Sequence, residues 1–125
     1  MPAPDEPRRV PRHANEIRDV YDLLAEIRVR PGMWVRGDSL LHLESMLMGY
    51  RIALNSHGAD ADWPFWSPGS PGLFSDWLWQ RLGRHSSLGW AAEIEREAQV
   101  VGQEPMDLFF SLFDKYRVER GHTVR

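Results

Sequence analysis

Arg28, Arg30 and Arg36 crowd around Trp34 in the stretch IRVRPGMWVR, residues 27–36. Guanidinium forks grip phosphate and carboxylate groups through paired hydrogen bonds, and an aromatic ring beside them can stack on a base. With Tyr50 on the next helix, this set would make a corner that binds a small ligand or an anion. The same residues also serve a purely structural end. Pro31 ends the preceding helix, Gly32 allows a sharp turn at positive φ, and Met33 and Trp34 can bury behind it. Arg28 and Arg30 would then bond the last carbonyls of that helix, where its dipole also favours positive charge. Of the two, the structural corner is the stronger reading.

Other chemistry finds little support. The chain contains no phosphate-binding loop, dinucleotide fingerprint, zinc-protease helix or nucleophile elbow. Of the five histidines only His42 lies in a helical pattern, and its i+4 neighbour is Met46, so no helical metal pair exists. His42 and Glu44, two residues apart on a helix, face different ways and read as an exposed rim pair rather than an acid–base couple. With no cysteine there is no thiolate nucleophile, disulfide or zinc–cysteine site. The expectation is a non-enzymatic protein without catalytic residues, metal or cofactor.

Partner binding is better represented. Of six tryptophans, Trp77 and Trp90 fall on inward helical stripes and Trp34 plugs the corner, which leaves Trp63, Trp66 and Trp79 without a core role. Exposed tryptophans anchor protein interfaces, although Trp63 and Trp66 would serve equally to fold their loop over the core. Glu93, Glu95 and Glu97 form an acidic helix face suited to a basic partner, or simply to solvent. Together these six residues are the candidate partner surface.

The totals narrow the partner. A net charge of −3, with Lys115 the only lysine, argues against nucleic acid. No run approaches the ~18–20 apolar residues of a membrane span, and the start MPAPDEPRRVPRHANE lacks the apolar segment of a signal peptide. A soluble, cytoplasmic protein is expected.

The elements that must position these groups are helical. Residues 1–13, with four prolines, read as a disordered tail, residues 14–120 as one domain and 121–125 as a frayed end. A first helix starts near Asn15, capped there or at Ala14, and carries Ile17, Val20, Tyr21, Leu24 and Ile27 at helical spacing. A second spans about Leu40 to Ser56, with a broad apolar face of Leu43, Met46, Leu47, Tyr50, Ala53 and Leu54. A second stripe on it, Leu41, Met48 and Ile52, predicts a central helix, packed on both sides within the chain or against a second copy in a homodimer. The Pro- and Gly-rich segment 57–72 is a long surface loop. A third helix runs from Leu73 to Leu82, a fourth from Leu88 to Val101 capped by Ser86 or Ser87, and a fifth starts at Pro105 with Met106, Phe109, Phe110, Phe113 and Tyr116 inward. The fold class is all-α: one five-helix domain with a long Trp/Pro loop between its second and third helices.

Two resemblances bear on RPGMW. The stretch EIRVRPGMWV resembles a strap near the start of the ATPase subunit of type II topoisomerases. The helix after it lacks that family's acidic residue and asparagine for magnesium and nucleotide, and the Gly-rich lid is missing, so ATP binding is not implied. Residues 17–117 are similar to a family of small, largely uncharacterised bacterial proteins. The matching positions are Ile27, Arg28, Arg30 to Trp34, Gly49, Tyr50, Phe74, Trp77, Leu78, Arg81, Leu82, Gly89, Trp90 and Phe109 to Phe113. Trp34 replaces the usual Tyr, Arg36 stands where Gly often follows, and the Trp/Pro loop looks like an insertion. Some members lie beside toxin genes of interbacterial conflict. The resemblance therefore implies an immunity-like protein that binds and blocks a bacterial toxin. The alternative is a small-ligand or anion-binding regulator using the Arg28, Arg30, Trp34 corner.

Overall fold

Proline, short polar caps and apolar periodicity set the helices, and a computed structural model of the chain describes residues 16–58, 62–66 and 72–121. In order they are α1 (Val20–Val29), α2 (Pro31–Trp34), a 3-10 turn (Arg36–Asp38), α3 (Leu40–Ser56), α4 (Leu73–Leu82), α5 (Trp90–Val101) and α6 (Pro105–Glu119). The fold is all-α, with no strand among the described residues.

α1 starts later than its periodicity predicts. Asp19 caps it, accepting from the Asp22 amide at 2.8 Å, and Ile17 lies outside the helix. The expected caps at residues 14 and 15, the tail 1–13 and residues 122–125 lie outside the described residues. Ser39 caps α3 through the His42 amide at 3.3 Å. Pro31 stops α1 and opens α2, because a proline without an N–H fits the first turn of a helix. That one-turn helix is the addition to the five expected.

The corner itself differs from expectation. Gly32 is not at positive φ; the reversal comes at Gly37 and Asp38, with φ of 63° and 52°. Met33 is 70% exposed rather than buried, and Trp34 is half-buried. Val35, not Met33, is the corner's buried side chain.

The core gathers around Phe74 of α4. Its ring packs edge-on to Phe65, Trp90, Phe109, Phe113 and Tyr116 at 5.4–6.0 Å between centroids. Leu24 and Ile27 of α1, Leu43 and Leu47 of α3 and Ile94 of α5 close the same cluster. Segment 57–72 is not simply a surface loop. Pro64 and Phe65 are buried, and Phe65 stacks on Phe113 at 5.5 Å and lies 5.4 Å from Trp90. Asp62 accepts from the Tyr21 hydroxyl at 2.8 Å and Pro64 O from the Phe74 amide at 2.8 Å, so the strap is tied at its start and at its middle. A Cβ on Gly72 would stand 2.4 Å from the Phe65 backbone, so only glycine permits this approach.

The two tryptophans flanking Phe65 differ from it in burial, and stability should show the difference. Phe65→Ala should cost about 3–5 kcal/mol, as for a buried aromatic. Trp66→Ala, at a residue 41% exposed, should cost under about 1 kcal/mol. Urea unfolding followed by circular dichroism checks both.

Candidate functional site

α3 and α5 are joined by carboxylates at each other's N-termini. The first amides of a helix lack internal partners and favour negative charge. Glu95 of α5 accepts from the Leu40 amide at 3.0 Å, at the start of α3. Glu44 of α3 accepts in turn from the Ala91 backbone at the start of α5, where the N-cap Gly89 has no side chain to offer. A Cβ on Gly89 would lie 2.9 Å from Glu44 Oε2, so the glycine admits the carboxylate. The two helices therefore run antiparallel at this contact. Burial pushes the Glu44 carboxyl above its usual value, and the Ala91 bond only partly opposes this. Glu44 is not the exposed rim partner of His42. α5 begins at Trp90 rather than Leu88, with Glu44 in place of the expected serine cap.

The rest of the acidic face also works inside the chain. Glu93 is buried, 2.9 Å from Arg84 and 3.7 Å from Arg96. Hydrogen bonds from Arg84 and Ser86 hold its carboxyl below the usual range. Glu97, half-buried, lies 3.8 Å from the same Arg84. Trp79 is buried on α4 with its ring 5.7 Å from His85, and its Nε1 has no hydrogen-bond partner. Trp79, Glu93 and Glu95 are thus structural, which removes half of the candidate partner surface.

Trp63 and Trp66 stay close together. Trp63 donates from Nε1 to Trp66 O at 2.8 Å, stacks on Tyr50 at 6.0 Å, and carries the Arg51 guanidinium 5.5 Å above its ring. Trp63 is half-buried, whereas Trp66 presents its side chain outward beside Met48.

The arginine corner does not assemble as a ligand site. A cleft of about 350 Å³ between the end of α1 and the start of α6 is lined by Arg28, but not by Arg30, Trp34, Arg36 or Tyr50. Arg28 is paired with Asp114 at 2.9 Å and sits 5.3 Å over Phe110. Asp38, Glu104 and Asp107 complete the cleft's charge, which repels the anions this corner would have to hold. Among the described residues, no three His, Cys, Asp or Glu side chains are placed to hold a metal.

What the structure leaves open is one side of α3. Its exposed residues are Leu41, His42, Ser45, Met48, Gly49, Ile52, Ala53, Asn55 and Ser56, with no formal charge among them. α1, α4, α5 and α6 each expose at least one charged residue. The two charged residues of α3, Glu44 and Arg51, are half-buried at the flank of this side. Of the stripe predicted from periodicity, Leu41 and Ile52 are exposed and Met48, also exposed, has Trp66 beside it, so among the described residues α3 is buried on one side rather than two. Gly49 adds a second sign. It is helical, a Cβ there would meet nothing within 4 Å, and its φ does not call for glycine. A mid-helix glycine costs about 1 kcal/mol relative to alanine, and no packing among the described residues requires it.

No family model, curated protein or solved structure matches the chain.

The carboxyls of Glu93 and Glu44 respond oppositely to acid. Glu93 titrates below 4.5 when folded, so its pairing stabilises the fold at neutral pH and is lost as pH falls through that lowered value. Glu44 titrates above 4.5, so the fold loses stability as pH rises through its value. Glu93→Gln should flatten the acid limb of the urea midpoint between pH 3 and 5, while Glu44→Gln should remove a decline just above pH 4.5.

Proposed function

We propose that this chain is a non-enzymatic protein-binding module that docks its partner on the uncharged face of α3 and the adjoining Trp66. One observation carries the reading: a 17-residue helix exposes a full side with no charge on it, in a chain of which 26% of residues are charged. Charged residues are depleted at the centres of protein interfaces, and tryptophan and methionine are enriched. The immunity-like role implied by the family resemblance is binding of this kind, since blocking a toxin needs complementary shape and no catalytic group. The acidic side chains of α5 take no part, because their bonds are within the chain.

Tagged protein should capture a partner from the host lysate. Ile52→Glu and Trp66→Ala should each abolish that capture or weaken affinity by about 30-fold, the loss expected for an interface anchor. Glu97→Gln should leave it unchanged. Capture that survives Ile52→Glu would place the docking surface elsewhere.

A further inference from the structure

A gap of about 10 Å³ lies between α3, α5 and the strap, room for about one water. Met48, Phe65, Trp63, Trp66 and Trp90 stand around it, and Glu44 is its one ionisable side chain. A charged carboxyl at such a place calls for water that apolar walls do not hold. The walls are unequal. Phe65 and Trp90 are buried in the core, and Trp63 is pinned by Tyr50, Arg51 and the Trp66 carbonyl. Trp66 is exposed, and its ring makes no stacking contact among the described residues. We infer that Glu44 is an acid-sensitive latch on Trp66: the neutral acid leaves the tryptophan seated over the gap, and the carboxylate brings water in and unseats it. The device belongs to the fold and stands whether or not a partner docks on Trp66.

Among the described residues no other charge competes for this carboxyl. On α3 itself His42 is exposed and Arg51 lies over Trp63. On α5, Glu93 is bonded to Arg84 and Glu95 to the Leu40 amide. Ahead of α5, His85 lies against Trp79, and on the strap Asp62 accepts from Tyr21. Glu44 therefore answers to its burial and to the Ala91 bond. Burial disfavours the charged form and outweighs the bond, so the neutral acid persists to a pH above 4.5. Once ionised, the carboxylate stays at the start of α5, where amides without partners favour negative charge. The wall that gives way is then Trp66 rather than α3.

Fluorine NMR of protein labelled with 5-fluorotryptophan tests the latch, the Trp66 line being assigned by its loss in Trp66→Phe. From about pH 4 to 8 that line should move in one step. A soluble gadolinium chelate should broaden it at least about twofold more above the step than below it. In Glu44→Gln, whose amide stands in for the neutral acid, the line should keep its low-pH position and broadening throughout. His42→Gln should retain the step. Carbon NMR of the wild-type Glu44 carboxyl should titrate with the same midpoint as Trp66, a check that needs no variant to fold. A Trp66 line that holds its position over this range would overturn the latch. So would a step retained in Glu44→Gln, a step lost in His42→Gln, or different midpoints for the carboxyl and the ring. A step with no change in broadening would overturn it as well, as the mark of a nearby charge on a fixed ring.

Discussion

Each of the helices α3 and α5 ends on the other's carboxylate. Glu95 takes the Leu40 amide that opens α3, and Glu44 takes the Ala91 backbone at the start of α5. Neither contact works alone, because each needs the other helix antiparallel and in register. The exchange decides where acidic groups go. With Glu44 turned to the Ala91 backbone and Glu93 to its arginines, the carboxylates near α3 are drawn toward the chain's own interior. The outer side of α3 is then free of charge as a consequence of how the inner side is built.

The strap at residues 62–66 is the second constraint. A link between two helices would ordinarily lie on the surface, where its backbone meets water. Here Asp62 is tied to Tyr21 and Pro64 O to Phe74, and Phe65, directly after Pro64, enters the aromatic cluster. The strap consequently fixes Trp63 over Tyr50 and leaves Trp66 beside Met48. Its rigid placement is what makes an exposed tryptophan part of a defined surface rather than a loose tip.

Much of this was legible in the sequence, and the limits have physical causes. α3 and α4 run as periodicity predicts, and Pro105, Gly83 and Gly102 bound their helices as expected, because these signals are local. The carboxylate caps were not legible, since Glu95 and Leu40 stand 55 residues apart and no short-range pattern links them. Phe65 carried no period, being one aromatic among prolines and tryptophans. Trp79 lies off the main stripe of α4 yet is buried, so its helix is covered over a wider arc than the stripe implied. The second stripe of α3 was plain in the sequence. Only the three-dimensional arrangement showed that none of the described residues covers Leu41 and Ile52.

The route by which this chain folds follows from the same caps. Helical bundles assemble quickly when their contacts are local, and slow as the mean separation of contacting residues grows. Here the amides of α3 await a carboxylate 55 residues on, and Arg28 of α1 awaits Asp114 of α6, 86 residues on. Neither α3 nor α5 has its N-terminus fully satisfied until most of the chain has been made. Emerging from a ribosome, α1 and α3 carry their local caps Asp19 and Ser39, but the Leu40 amide that opens α3 waits for a carboxylate on a helix still to be made.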